Sequence, residues 1–179
     1  WRGRLVERML LPADSPCRVL DLAAGTLDVS IEIAGRHPKA FVAAADFCLP
    51  MLEKGRSKLT RGGRIAPVQA DGRALPFRDS SFEAASIAFG IRNIRPRAEA
   101  YAELLRVLKP GGRLCVLEFG SGRQRILGGL YSLYLNRLLP MLGRVFSRDA
   151  GAYRYLADTI MEFPDARGLA GELSRAGFT

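Results

Sequence analysis

The stretch that decides the fold runs from residue 17 to residue 28 and reads Cys17-Arg18-Val19-Leu20-Asp21-Leu22-Ala23-Ala24-Gly25-Thr26-Leu27-Asp28. Its first half is a short, mainly apolar run of the kind that forms a buried strand. Its second half is a turn of small residues that leads into a helical pattern. Strand, tight turn and helix in this order begin a βαβ unit. The stretch therefore predicts an α/β domain in which a ligand binds beside the first turn.

The rest of the chain repeats this alternation of apolar runs and helical patterns. Four more strands are predicted, at residues 41–46, 64–68, 84–89 and 113–119. Strands that alternate with helices form right-handed crossovers and a parallel sheet covered on both faces. We therefore predict a doubly wound, Rossmann-like sheet with five parallel strands visible. The chain opens at Trp1 inside a helical pattern and stops at Thr179, where another strand is due, so we expect the C-terminal strands of such a sheet to be missing.

The composition excludes several classes of protein. Of the 179 residues, 48% are hydrophobic and 25% are charged, which is a globular and not a disordered composition. Three scattered cysteines and a single histidine argue against a zinc ribbon, a disulfide framework, a histidine triad or a metal site. With no long apolar run, we expect a cytoplasmic protein. The net charge of +9 fits an anionic partner, and it equally fits plain solubility in an arginine-rich source.

Carboxylates near the first turn suggest which cofactor binds there. Asp46 follows Gly25 by 21 residues, at the end of the second strand, where a carboxylate can accept hydrogen bonds from ribose hydroxyls. The turn lacks the G-x-G-x-x-G pattern that suits a pyrophosphate, and Asp21 and Asp28 make it acidic. A cationic cofactor such as S-adenosylmethionine tolerates these charges better. Asp28 can also serve simply to cap a helix.

A third segment follows the third strand and reads Gln69-Ala70-Asp71-Gly72-Arg73-Ala74-Leu75-Pro76-Phe77. Asp71 stands where a carboxylate could accept a hydrogen bond from the amino group of adenine, with apolar residues behind it. Together the three segments resemble the class I S-adenosylmethionine-dependent methyltransferases.

Motifs in the second half resemble one family within that class, the UbiE-type ubiquinone/menaquinone biosynthesis C-methyltransferases. They are Phe89-Gly90-Ile91-Arg92-Asn93-Ile94, Arg106-Val107-Leu108-Lys109-Pro110-Gly111-Gly112, Tyr153-Arg154-Tyr155-Leu156 and the closing Ala176-Gly177-Phe178. The resemblance implies methyl transfer from S-adenosylmethionine to a ring carbon of a polyprenylated quinol, with demethylmenaquinol the first choice. It does not decide between a naphthoquinol and a benzoquinol.

The resemblance also implies a set of cofactor-binding residues. Thr26, Asp46, Asp71 and Gly72 fall where the family contacts the cofactor, while Asp21, Ala23 and Gly25 shape the turn. Ala88 lies at the end of the fourth strand, where relatives often carry serine, so one hydroxyl contact is expected to be absent.

Leu27 departs from the family pattern, which has glycine between Thr26 and Asp28. If this position needs a positive φ, leucine adds strain of about 1–3 kcal/mol. A local shift of the turn would equally absorb the change. The first outcome favours a cofactor-weak accessory protein as an alternative function.

Arg92 is the candidate catalytic residue. An aromatic carbon becomes a good nucleophile when a neighbouring hydroxyl loses its proton, and a guanidinium can stabilise the resulting anion. Arg92 could instead form a structural ion pair or lie on the surface. Weaker candidates are Glu118, Tyr131, Tyr134 and Tyr153.

Residues 121–150 are predicted to form a helical insertion within a single methyltransferase domain spanning 1–179. The segment 123–148 combines an apolar stripe with five arginines and no acid. This pattern favours a lid that admits a prenyl tail and contacts an anionic membrane surface, or simply a helix packed on the sheet edge. A methyltransferase that acts on another small molecule remains an alternative function, and homo-oligomer formation stays open. No nucleic-acid partner is expected, because the motif after the fourth strand differs from that of base-methylating enzymes.

Overall fold

A computed structural model describes residues 1–12, 15–60, 63–120, 155 and 158–179. These residues belong to two compact units, Trp1–Glu118 and Phe119–Thr179. The predicted insertion at 121–150 lies outside the described residues, as do Tyr131, Tyr134 and Tyr153.

The first unit is an α/β sheet. Its elements in chain order are α1 (Arg2–Arg8), β1 (Cys17–Leu22), α2 (Asp28–Arg36), β2 (Ala40–Asp46), α3 (Leu49–Arg56), β3 (Ile65–Gln69), β4 (Phe82–Ala88), a 3₁₀ turn (Ile91–Asn93), α4 (Arg97–Val107) and β5 (Leu108–Leu117). The strands are all parallel, in the order β3-β2-β1-β4-β5. This architecture confirms the predicted α/β class with five parallel strands.

The described part of the second unit includes the helix α5 (Ala166–Arg175). Asp165 caps it, because its carboxylate accepts a hydrogen bond from the backbone N–H of Gly168 at 2.8 Å. Among the described residues, no helix is long and apolar enough to cross a membrane.

The residue types in the strands match their positions in the sheet. Small alanines fill the centres of β2 and β4, which are buried on both faces. Pro67 lies in β3, an outer strand, where the missing backbone N–H costs least. The Lys109–Gly112 segment belongs to β5 but interrupts its ladder: the pairing jumps from Phe82–Leu108 to Ala84–Arg113. Gly111 has a φ of 76° within this interruption.

Two apolar clusters attach helices to the sheet. The larger joins α1 and α2 to β1, β2 and β4, with Val6, Val19, Ile33 and Val42 fully buried. The smaller is formed by Ala24, Leu27, Ala44 and Leu52, and it joins the turn after β1 to β2 and α3.

The strand order places a switch point between β1 and β4. From β1 the chain builds outward through β2 and β3, then returns to the other side of β1 to form β4 and β5. The loops after β1 and β4 consequently diverge at the carboxyl edge of the sheet. In open parallel sheets this divergence creates the crevice in which ligands bind.

Candidate functional site

Two glycines bring three loops together at the carboxyl edge. A Cβ on Gly90, in the loop after β4, would collide with the Cβ of Ala23 in the turn after β1. A Cβ on Gly72, in the loop after β3, would lie 2.8 Å from Ile94 Cδ1. Both glycines therefore permit an approach that larger residues would prevent. The structure thus brings the segments after β1, β3 and β4 together at one edge of the sheet.

The turn after β1 contains three residues in the left-handed region. Ala23, Gly25 and Leu27 have φ values of 57°, 53° and 67°. Backbone hydrogen bonds fix this path, since Ala24 N–H donates to the Ala45 carbonyl at 3.1 Å and Leu27 N–H donates to the Ala24 carbonyl at 2.9 Å. Only the positive φ of Gly25 follows directly from residue type; the other two need the tertiary contacts described below.

Asp46 orders the same turn from the end of β2. Its carboxylate accepts hydrogen bonds from the backbone N–H groups of Gly25 at 2.7 Å and Cys48 at 2.8 Å. An ionised carboxylate offers about four acceptor positions, so these two bonds orient the group and leave capacity for hydroxyl donors. Asp46 and Gly25, both predicted to lie at the cofactor site, are in direct contact.

Thr26 and Asp28 form a small polar cluster on the outside of the turn. The Thr26 hydroxyl donates to Asp28 at 2.8 Å, and the Lys58 ammonium donates to the Asp28 carboxylate and to the Thr26 carbonyl, each at 3.0 Å. The hydrogen bonds from Thr26 and Lys58 lower the pKa of Asp28. Lys58 was not singled out in the sequence, because it contacts the turn from a position 30 residues away in the chain.

Asp21 faces the interior. Its side chain is buried and accepts hydrogen bonds from the hydroxyls of Ser30 at 2.6 Å and Ser86 at 2.8 Å. Burial raises the pKa of Asp21 to about 6, although the two serine hydrogen bonds partly oppose this shift. The carboxyl group thus connects β1 to α2 and β4.

Asp71 already has a cationic partner. Its carboxylate accepts two side-chain hydrogen bonds from Arg73 Nε, at 3.1 and 3.2 Å, and one from Nη2 at 2.7 Å. These bonds from Arg73 lower the pKa of Asp71 to about 2. Asp71 is therefore ionised at neutral pH, and an adenine amino group would have to share this carboxylate with the guanidinium.

Arg92 forms a buried ion pair. Its Nη1 donates to Glu118 Oε1 at 2.5 Å and to the carbonyl of Phe89 at 2.6 Å. The Arg92 side chain is 11% exposed and that of Glu118 is 2% exposed. The sequence indicates Arg92 and Glu118 as separate candidates and leaves an ion pair of Arg92 as an alternative. In the structure these two residues form that ion pair with each other. Ala88, four residues earlier, pairs with Leu117 and packs against the larger cluster.

Leu27 occupies the left-handed region. Its φ and ψ are 67° and 17°, which costs a leucine about 1–2 kcal/mol. Its side chain is 0% exposed, and burying a leucine contributes about 1.5–3 kcal/mol. Burial thus offsets the backbone strain, and the turn keeps its path.

The residues at this edge suit S-adenosylmethionine. Gly25 has a positive φ, and the nearest atom to a Cβ placed there would be Met51 Cε at 3.6 Å, so the backbone is accessible at close range. The preorganised Asp46 carboxylate suits ribose hydroxyls. Among the described residues, no group of His, Cys, Asp and Glu is arranged to hold a metal.

Comparison with known proteins agrees with this arrangement. A model of the ubiE/COQ5 methyltransferase family matches residues 1–179. Demethylmenaquinone methyltransferase of Thermus thermophilus is 44% identical over 180 residues, covering 100% of this chain and 81% of that protein. The UbiE C-methyltransferase of Geobacter sulfurreducens is 43% identical over 165 residues, covering 90% of this chain and 64% of that protein.

Solved structures share the fold at low identity. The Bacillus subtilis YcgJ protein superposes with a TM-score of 0.74 at 20% identity, covering 99% of this chain and 68% of that one. Haemonchus contortus phosphoethanolamine N-methyltransferase 2, solved with S-adenosyl-L-methionine, gives 0.74 at 16%, covering 99% and 36%. The [4+2]-cyclase SpnF gives 0.71 at 23%, covering 98% and 55%. Because a cyclase shares it, the fold by itself does not decide the reaction.

Proposed function

The chain belongs to the ubiE/COQ5 methyltransferase family, and on that premise we propose that it methylates a ring carbon of a polyprenylated quinol, converting demethylmenaquinol to menaquinol. It is an S-adenosylmethionine-dependent methyltransferase of quinone biosynthesis. The observation that carries the proposal is the family match along all of residues 1–179. The Thermus relative, named for demethylmenaquinone, favours the naphthoquinol over a benzoquinol acceptor.

The cofactor would be held by the turn after β1 and by Asp46. When bound, S-adenosylmethionine supplies a methyl group made electrophilic by the sulfonium. Asp46 supports this role because two backbone N–H groups already orient its carboxylate. Thr26, Asp71 and Gly72 belong to the same proposed surface, because the loops that carry them meet at the carboxyl edge of the sheet. Ala88 offers no hydroxyl, so we expect one contact fewer than in relatives with serine.

Arg92 would act on the acceptor. The ring carbon becomes nucleophilic as a neighbouring hydroxyl is deprotonated, and a guanidinium beside that oxygen stabilises the negative charge. Arginine stays protonated in proteins, so Arg92 would serve as a donor and not as the base. Glu118 supports this role by fixing the direction of the guanidinium through a 2.5 Å hydrogen bond.

Residues 121–150 are proposed as the lid over the acceptor and its prenyl tail. Support comes from the sequence alone: within residues 123–148 an apolar stripe is accompanied by arginines at 123, 125, 137, 144 and 148 and by no acid. The same charges favour contact with an anionic membrane surface. Binding to vesicles with and without anionic lipid tests this contact, which should weaken with salt.

Two measurements test the function. Calorimetric titration with S-adenosylmethionine should give micromolar binding that is lost in Asp46→Ala and retained in the control Glu7→Ala, which removes an exposed acid from α1. Incubation with demethylmenaquinol and methyl-labelled cofactor should transfer label to the quinol. Binding without transfer to any quinol would refute the acceptor, and absence of binding would refute the function.

A further inference from the structure

Helix α3 contacts the cofactor turn at three consecutive residues. Lys58, just after the helix, donates hydrogen bonds to the Thr26 carbonyl and to the Asp28 carboxylate, each at 3.0 Å. Between these two, Leu27 is 0% exposed and packs in the cluster that includes Leu52 of α3. Helix α3 and the residues just after it therefore contact the turn through two hydrogen bonds from Lys58 and one apolar contact.

Gly55 makes the apolar contact possible. A Cβ on Gly55 would lie 2.5 Å from Leu27 Cγ and 2.9 Å from Leu27 Cδ1. Such distances are far shorter than van der Waals contact, so any larger residue at 55 would force the helix and the turn apart. Glycine is a poor helix former, which makes its presence in the last turn of α3 informative. The close approach of α3 to Leu27 accounts for it.

From these contacts we infer that Leu27 and Gly55 form a matched pair through which α3 positions the cofactor-binding turn. The inference rests on the proposed function, since it assigns the pair to the site for S-adenosylmethionine. Leu27 is a positioning residue: its side chain is turned into the cluster, while its backbone sets the path that Gly25 and Thr26 follow. It follows that glycine at position 27 would loosen the turn and weaken cofactor binding, although it would relieve the strained φ.

A double-mutant cycle tests the pair. We expect Gly55→Ala to raise the Kd for S-adenosylmethionine about tenfold, because the new methyl group displaces the turn. Leu27→Ala should raise it about fivefold by emptying the cluster. In the double variant the atoms Cγ and Cδ1 are gone, whereas the Thr26 carbonyl carbon, at 2.9 Å, still opposes the methyl group. Its Kd should therefore lie above that of Leu27→Ala, because the backbone contact remains, and below the product of the two effects.

Two control variants separate positioning from general loss of stability. Gly35→Ala adds the same methyl group to α2, where no atom lies within 4 Å, and should leave the Kd unchanged. Ile33→Ala removes a buried side chain from the larger cluster, and should lower the urea midpoint without changing the Kd. Leu27→Gly should bind more weakly than the unsubstituted chain.

The outcomes are distinct. Additive effects in the cycle, an unchanged Kd in Gly55→Ala, or tighter binding by Leu27→Gly would each overturn the inference. Urea unfolding of the same four proteins without cofactor measures the packing of the pair separately, and additivity there would overturn the match of Leu27 with Gly55. If the unsubstituted chain fails to bind S-adenosylmethionine, the proposed function and the positioning role both fail, whatever the unfolding cycle shows.

Discussion

Removing the carboxylate of Glu118 should sharply destabilise the fold. Arg92 and Glu118 are 11% and 2% exposed, and Nη1 and Oε1 are 2.5 Å apart. In Glu118→Leu the guanidinium would stay buried without its carboxylate. Breaking a buried pair by removing one partner costs about 3–5 kcal/mol, a large part of the total stability of a small domain. With a urea dependence of about 1–3 kcal/mol per molar, the midpoint should fall by roughly 2 M.

The second half of the experiment removes both charges. Arg92→Met/Glu118→Leu removes both charges of the pair, so at least half of the lost stability should return. The Phe89 carbonyl loses its hydrogen bond from Arg92, which accounts for part of the remainder. Unfolding followed by circular dichroism gives these values. A loss below about 1 kcal/mol in Glu118→Leu would refute the reasoning, because it is typical of a solvated pair.

The same variants decide what Arg92 does. If the pair serves only the fold, methyl transfer by the double variant should recover together with its stability. If Arg92 stabilises the developing anion, the double variant should be folded, bind S-adenosylmethionine normally and show a kcat lowered by about 100-fold or more. Normal turnover by the folded double variant would remove Arg92 from the mechanism.

Three further predictions follow from other contacts. Burial raises the pKa of Asp21 to about 6, above its ordinary value of 3.8, so the folded protein binds this proton more tightly than the unfolded chain does. The free energy of unfolding should therefore fall by about 2 kcal/mol as the pH rises from about 4 to 6, and Asp21→Asn should remove that slope in urea unfolding. Gly90→Ala should lower both the stability of the fold and the affinity for S-adenosylmethionine, because the new methyl group collides with Ala23. Adding Ala23→Gly to that variant should restore much of both, and the control Gly35→Ala should change neither. Arg106→Met should cost about 1–3 kcal/mol, because two loop carbonyl groups lose the donors of the guanidinium; an unchanged melting temperature would contradict this.

Local sequence features were enough to predict much of the fold and part of the candidate site. The alternation of apolar runs with helical patterns predicted five parallel strands, because strand and helix periodicities differ within a few residues. The spacing of Gly25 and Asp46 placed both residues at the predicted cofactor site, and in the structure a hydrogen bond joins them at 2.7 Å. The motifs after the first and fourth strands predicted the family, which the match over 1–179 confirms.

Other features of the site arise only from tertiary contacts. The sequence marked Leu27 as a departure from the family but could not show that its side chain is buried opposite Gly55, 28 positions along the chain. Nor could the sequence show that the Asp21 carboxylate accepts a hydrogen bond from Ser86, which is 65 residues away.

The sequence by itself thus determined the order of the elements, the family and the residue types at the carboxyl edge, because these depend on periodicity and short motifs. Only the tertiary structure decided which charges are buried and paired and which strained backbone is held in place. The physical reason is that desolvation and close packing depend on all neighbours in space, as the contact of Arg92 with Glu118 across 26 residues shows.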